Sequence, residues 1–544
     1  MSSVEIVAED QTDVKRRPQI ATVAAASLGS VFEWYEFTLY AAMAGILASK
    51  FFSGLESSLS FFFALLTFGV GFVVRPLGAL VFGRLGDLVG RKKTFLATLL
   101  ITGLATFTVG ALPTYASAGI VAPVLLVTLR VLQGLALGGE YGGAVIYVTE
   151  HVQRKRRGLS TSFIQMTGTL GFLLALVSIQ IVRAVAGKDA FDAWAWRVPF
   201  LIAIVMLGVA LRVRLKMQES PVFKKMAAER SLSQAPVRET FGSLRNLKLL
   251  AVALIGIGGG TSVVYYNAVT YPLFFLTKTL AVPMGSANFI VGLAALFAIP
   301  MIWFAGWLSD KIGRKPVLLA GFVLGLVTTF PVFHQIAAIA NPVLTTAQQK
   351  IEISVHTDPA TCSLMFNPLG NRTFTSPCDI ARQNLTALSV NYSRVDTPAS
   401  SVTEVHLGDH VISANVAAGY DRSRFTNELM AAARQAGFGV PADPGLQDQI
   451  KIVGLLLIVL FAMALGYAPV GVAMAEMFPA RIRYTAMSFP YHLATGWIGG
   501  LLPTFAFAIA VAQGNIFAGL WYTIVWLIVG IVVTGLWYSE SKAD

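Results

Sequence analysis

The sequence predicts an all-α membrane protein, with twelve transmembrane helices in two six-helix pseudo-symmetric halves and an exterior α+β insertion. Three observations carry this prediction. Of the 544 residues, 55% are hydrophobic and only 13% charged, about half the ~25% charged share of a soluble domain, and the mean hydropathy is +0.67. Apolar runs long enough to cross ~30 Å of hydrocarbon recur along the chain. A charged motif in the first third reappears in the second half. This composition excludes a soluble globular enzyme, a disordered chain and a disulfide scaffold.

A polar tail, 1–18, ends in Lys15-Arg16-Arg17; the apolar stretch after it is too long for a signal peptide and reads as a retained first span. Apolar runs lie near 19–48, 58–82, 94–112, 120–147, 161–186 and 195–212, which make up an N-terminal half of 19–212. A basic linker, 213–248, joins this half to runs near 249–277, 286–307 and 317–341, and then 450–475, 485–511 and 516–538, with a short tail at 539–544. Near-continuous apolarity broken by Gly and Pro favours helices over a membrane barrel.

Lys and Arg gather in the loops after spans 2, 4, 6, 8 and 10, among them Arg91–Lys93, Arg154–Arg157, nine residues between Arg212 and Lys248, Lys311–Lys315 and Arg481–Arg483. The opposite loops are nearly bare of them, which places both termini in the cytoplasm of a bacterial inner membrane. The net charge of +12 is therefore a topology signal, not a nucleic-acid surface.

Gly83, Asp87, Gly90, Arg91 and Lys92 recur as Gly306, Asp310, Gly313, Arg314 and Lys315, an offset of 223. Glu150, Arg157 and Phe163 recur as Glu476, Arg483 and Phe489, an offset of 326. The difference, 103 residues, measures an insertion that lies at 341–449. Its seven Arg and Lys against ten acids give −3, while the rest of the chain carries +15. Alternation from Val402 to Val416 reads as strand and Ser423–Ala436 as a capped amphipathic helix. The chain's two cysteines, Cys362 and Cys378, both fall here, and pair as a disulfide in an oxidising compartment or remain two thiols.

At the end of a span, Asp87 and Asp310 can accept from helix N-terminal amides and pair with Arg, while Gly83 and Gly306 permit close helix contact. This doubled GxxxDxxGRK pattern resembles the signature of the major facilitator superfamily, which implies a conformational latch formed with Arg91, Arg314, Glu150, Glu476 and Arg483. Within that superfamily the chain resembles the metabolite:proton symporters, on Phe32-Glu33-Trp34-Tyr35-Glu36-Phe37, Arg75-Pro76-Leu77-Gly78, Arg130 with Gln133-Gly134 and Gly139-Glu140-Tyr141, Trp196-Arg197 with Pro199-Phe200, and Glu219-Ser220-Pro221. The group includes transporters for citrate, 2-oxoglutarate, shikimate and proline/betaine. The resemblance covers about 20–340 and 450–538, and the insertion departs from it.

Glu33 and Glu36 share a face of span 1 at mid-membrane depth, where a carboxyl group can load and unload a proton; the alternative is a permanent structural ion pair. Arg130 sits on a polar face of span 4 with Gln133 and Tyr141, and its fixed charge suits a substrate carboxylate or a nearby acid. Span 1 lies beside span 4 in the superfamily, so the resemblance makes Glu33 or Glu36 the resting partner of Arg130. Tyr265, Tyr266 and Asn267, after Gly258-Gly259-Gly260 in span 7, read as cavity lining. Arg75 and Glu150 read as gate residues at the cytoplasmic ends of spans 2 and 4, and His492 as a satisfied structural histidine.

No metal cluster, nucleophile–base pair or GxxxxGK[ST] loop stands in the sequence. An enzyme and an ATP-driven pump are therefore not expected, nor is a cofactor. The expected partners are protons, a small molecule and lipid, for a monomer. The leading reading is proton symport of a small organic anion such as a di- or tricarboxylate. A zwitterionic osmolyte, held by Arg130 and the span 7 tyrosines, is the alternative, and a transporter-like receptor the third.

Overall fold

In a computed structural model the described residues are 3–53, 67, 69–363, 375–399, 401–414 and 422–540, with backbone alone for 3–22. The first half of the expected second span, 58–66, lies outside them. Span 1 falls within a helix that begins at Ser3 and runs to Ala42, continued by Ala44–Phe51, and span 2 is described as Arg75–Leu88. Ten further helical segments are long and apolar enough to cross a membrane: Arg91–Ala111, Val121–His151, Arg154–Ala186 and Ala195–Leu215 as spans 3–6, Leu244–Thr279, Met284–Ile312 and Arg314–Ala340 as spans 7–9, and Leu446–Met477, Arg483–Gln513 and Leu520–Trp537 as spans 10–12.

Within the first half, span 1 packs on span 5 and span 4 on spans 2 and 3; within the second, span 10 packs on spans 8 and 9. The halves meet where span 2 crosses span 11 and span 5 crosses span 8. Small residues make those crossings close. A methyl group on Gly83 would stand 2.7 Å from the Thr485 backbone, and one on Gly306 would stand 2.6 Å from Ser162. Two helices depart from α geometry. Span 7 carries π turns at Val252–Gly258 and Phe275–Thr279, and span 11 one at Ala494–Gly499, the kind of widened turn that often marks a working site.

The insertion holds a four-stranded sheet, with β1 Ile353–Thr357, β2 Ser393–Asp396, β3 Thr403–Leu407 and β4 His410–Ala414, in the order β2-β1-β3-β4. β1 pairs parallel with β2 and antiparallel with β3, Val355 opposite Val405, and β3 and β4 form a hairpin. Ile353, Val355, Val405 and Leu407 are buried in one cluster with Leu385, Phe425 and Leu429 of the helices Pro377–Ala387 and Arg422–Gln435. Alternation puts the apolar set on one side of the sheet, as strand geometry requires. Cys362 and Cys378 are bonded, with Cα atoms 5.3 Å apart.

The subdomain is fastened to the second half. Arg382 donates to the Ala512 carbonyl at 3.1 Å, and the Tyr392 hydroxyl to that of Val511 at 3.1 Å. The Ile516 amide donates to Asn391 at 2.8 Å, and Asn341 to the Leu280 carbonyl at 3.0 Å.

Candidate functional site

On the face that bears the Gly-Arg-Lys loops, two ionic clusters close the seam between the halves. Asp87 ends span 2 and accepts from the Tyr484 and Thr485 amides at 3.2 and 3.0 Å, the first turn of span 11. Asp310 ends span 8 and accepts from the Gly158 and Leu159 amides, both at 2.8 Å, the first turn of span 5. Each carboxylate thus occupies the positive end of a helix in the other half. Arg91 lies 3.2 Å from Asp87, and Arg314 lies 2.9 Å from Asp310. Arg91 also donates to the Gly86 and Ala480 carbonyls, and Arg314 to those of Ser309 and Arg154.

Glu150 sits 3.5 Å from Arg91 and 3.3 Å from Arg483; Glu476 sits 3.8 Å from Arg314 and 3.0 Å from Arg157. Every contact in one cluster maps onto the other through the offsets 223 and 326 found in the sequence. Gly90 and Gly313, at φ 120° and 102°, turn the chain from each cluster into spans 3 and 9, where only glycine is unstrained. Two acids that the sequence reading left without a role complete the ends. Glu219 accepts from the Arg91 and Lys92 amides, and Glu540 from the Lys315 amide.

Toward the middle of the bundle lies a cavity of about 50 Å³, lined from both halves by Ser30, Glu33, Trp34, Arg75, Tyr141, Tyr265, Tyr266, Tyr467, Tyr491 and His492, among others. At ~10–15 Å³ per water, it holds a few waters. Arg75 stands 3.6 Å from Glu33 and lies over the Phe72 ring at 4.6 Å. Aromatic rings close the space around this pair: Trp34 meets Tyr265 at 5.8 Å, Tyr265 meets Tyr467 at 4.7 Å, and Tyr141 stacks on Tyr491 at 3.9 Å. Two of these contacts, Trp34–Tyr265 and Tyr141–Tyr491, cross between the halves.

Several expected positions differ. Arg75 is not at the cytoplasmic end of its span: twelve residues separate it from Asp87, about 18 Å of helix at 1.5 Å each, so it reaches the cavity. The end of the apolar run at Arg75 marked a buried charge, not the end of the helix. Arg130 and Gln133 do not line the cavity. Arg130 shares a helix face with Tyr141 but lies about 16 Å further along the axis, toward the end of the bundle away from the latches. There it bonds Glu36 at 2.5 Å and Gln133 at 3.0 Å and lies over the Tyr40 ring at 4.1 Å, while Gln133 donates to Thr106 at 2.9 Å.

Asn267 faces spans 9 and 12 and bonds Thr329 and Thr523, since each residue turns the helix by about 100° away from the Tyr265 and Tyr266 face. His492 is not a satisfied structural histidine: it lines the cavity, and neither ring nitrogen has a hydrogen-bond partner. A third buried ion pair, Arg214 with Glu140, escaped sequence reasoning because an Arg in the last turn of a span reads as topology. Glu140 also accepts from Thr98 at 2.7 Å, and Arg214 lies over the Phe95 ring at 3.4 Å.

Comparison with known proteins follows the same lines. The family profile for the Major Facilitator Superfamily matches residues 26–342, and that for "Sugar (and other) transporter" matches 429–543. The shikimate transporter of Escherichia coli is 32% identical over 346 residues, 60% of this chain and 77% of that one. The inner membrane metabolite transport protein YhjE of E. coli is 32% identical, over 66% of this chain and 81% of its own. The proline/betaine transporter of Salmonella typhimurium is 33% identical over 57% of this chain, and the match spans 63% of the relative's length, just under two thirds. Among solved structures, a double-tryptophan XylE variant superposes with a TM-score of 0.64 over 97% of both chains at 14% identity. The proton:xylose symporter XylE bound to 6-bromo-6-deoxy-D-glucose gives 0.59 over 96% of both at 15%. At these identities the likeness is one of fold.

Proposed function

Because the chain belongs to the major facilitator superfamily, we propose that it is a secondary active transporter that takes up a small carboxylate-bearing molecule together with protons, by alternating access to its central cavity. The observation that carries this reading is the Glu33–Arg75 pair, 3.6 Å apart, in a cavity lined by both halves. A guanidinium keeps its charge. When a substrate carboxylate takes Arg75, Glu33 loses its counter-ion and is left in a low-dielectric setting, where a proton replaces the lost positive charge. Substrate and proton then enter together. Glu36, held by Arg130 a turn further along span 1, is the second coupling carboxylate in this reading.

Among the described lining residues Arg75 is the one Arg or Lys and Glu33 the one acid. That balance suits a substrate with a single carboxylate and narrows the di- or tricarboxylate expectation, since a second carboxylate would enter without a counter-ion. The lysine and arginine count supports placing the latch face and both termini in the cytoplasm. With the latches shut, the cavity would then be reached from outside.

A second reading has its own support. The faces of Trp34, Tyr265, Tyr467 and Tyr491 can hold a quaternary ammonium, so a betaine-like zwitterion on Arg75 is the alternative. Uptake into proteoliposomes with an imposed pH gradient tests the proposal. Accumulation driven by an acidic exterior and lost with a protonophore is expected; binding without proton-driven accumulation would favour a receptor and overturn it.

A further inference from the structure

Most polar groups around the cavity are already bonded within the protein. Thr261 donates to the Gly466 carbonyl at 2.9 Å, Thr495 to that of Tyr491 at 2.9 Å, and Gln165 to the Tyr141 hydroxyl at 2.6 Å. Three lining side chains are not. The Ser30 hydroxyl of span 1, the Ser262 hydroxyl of span 7 and both ring nitrogens of His492 on span 11 have no hydrogen-bond partner. Their residues are 3%, 1% and 1% exposed. Polar atoms left so in an apolar, aromatic setting are strongly disfavoured unless a ligand meets them.

From these groups we infer that the cavity selects a hydroxylated monocarboxylate, its carboxylate on Arg75 and its hydroxyls on Ser30, Ser262 and His492. This rests on the functional reading above and names its substrate class. The chemistry of the unpartnered atoms carries it. A neutral imidazole presents one N–H donor and one bare nitrogen acceptor, and each serine hydroxyl donates and accepts. A carboxylate alone only accepts, so it leaves the acceptor nitrogen of His492 unmet. A quaternary ammonium offers neither a donor nor an acceptor. Hydroxyl groups offer both, and because the three residues stand on three helices of both halves, the ligand must carry more than one. The flat faces of Trp34, Tyr265 and Tyr467 then flank the carbon skeleton. A site whose buried polar groups depend on substrate hydroxyls rejects the analogue that lacks them far more strongly than an apolar pocket rejects a missing methylene.

The test uses the full-length purified protein and measures affinity by thermal shift and by competition for proton-driven uptake. The hydroxylated probes are shikimate, quinate and gluconate. Cyclohex-1-ene-1-carboxylate is the analogue without hydroxyls, and glycine betaine and proline are the zwitterions. At least one hydroxylated acid is expected to bind at least about ten-fold more tightly than the analogue and the zwitterions. Ser30→Ala and Ser262→Ala should each weaken that acid by roughly five- to a hundred-fold and leave the analogue's affinity unchanged. His492→Gln, which keeps a donor and an acceptor, should retain more affinity than His492→Phe. Equal binding of the analogue, betaine or proline, or binding by none of the three hydroxylated acids, overturns the inference. Proton-driven uptake of any carboxylate that needs Arg75 leaves the transport reading standing; absence of all such uptake overturns that reading as well.

Discussion

An arginine cannot give up its charge, so Arg75 leaves Glu33 only when another anion arrives, and Arg130 is bound to Glu36 by the same rule. The two pairs differ in what can reach them: the first faces the cavity, the second is enclosed with Gln133 and Tyr40. Arg75→Lys should therefore raise the apparent KM of uptake about ten-fold or more, because the ammonium keeps the charge and loses the planar fork. Glu36→Gln should retain exchange of substrate across the membrane and lose accumulation against a gradient, since an amide imitates the protonated acid and cannot deprotonate; parallel counterflow and gradient-driven uptake assays separate the two. Arg214→Ala leaves Glu140 buried without its partner and should destabilise the protein by about 3–5 kcal/mol, read from denaturant midpoints in detergent. The carboxylates of span 1 were legible in the sequence as costly charges at membrane depth. Which arginine each would meet was not, because helical periodicity reports the face of a residue and says nothing of the height at which a neighbouring helix presents its own. His492 was misread for a related reason: no local pattern states whether an imidazole in an apolar run has a partner.

At the scale of elements, the latches bind helix to helix across the seam. Each Asp receives two amides from the opposite half, so removing its charge weakens charge-assisted bonds, worth about 1.5–3 kcal/mol each, that exist only while this face is closed. Asp87→Asn and Asp310→Asn should shift the population toward a state open at the latch face, and by similar amounts, because their contacts superpose through the repeat. Labelling of a cysteine introduced by Thr495→Cys, from the latch side of sealed vesicles, should speed up roughly ten-fold in each. This element was the most legible part of the chain. Two numerical offsets in the sequence already paired Asp87 with Asp310 and Glu150 with Glu476, and the three-dimensional contacts follow those offsets atom by atom. The insertion was legible as an α+β unit through its strand alternation and polar balance, but its attachment was not, since Arg382, Asn391 and Tyr392 carry no sign of the carbonyls and amides they reach. Replacing about 345–445 with a Gly/Ser linker should preserve proton-driven uptake and lower the melting midpoint, each lost hydrogen bond to the 511–516 turn contributing about 1 kcal/mol.

The whole molecule is two similar bodies meeting along spans 2 and 11 and spans 5 and 8, with the cavity between them and the latches at one end. Viewed down the bundle, its helices nearly superpose on themselves after half a turn. The sheet subdomain ends that equivalence, because it occurs once and is bonded to the outer ends of the second half alone among the contacts described above. A 58.3 kDa protein hidden in a detergent belt offers electron cryo-microscopy little by which to orient a particle. Here the chain carries its own landmark, rigid enough to tell one half from the other in a projection. The same landmark, bearing a dye whose partner sits on the first half, would turn the rocking of the two bodies into a change of distance that a single-molecule fluorescence experiment can follow in real time.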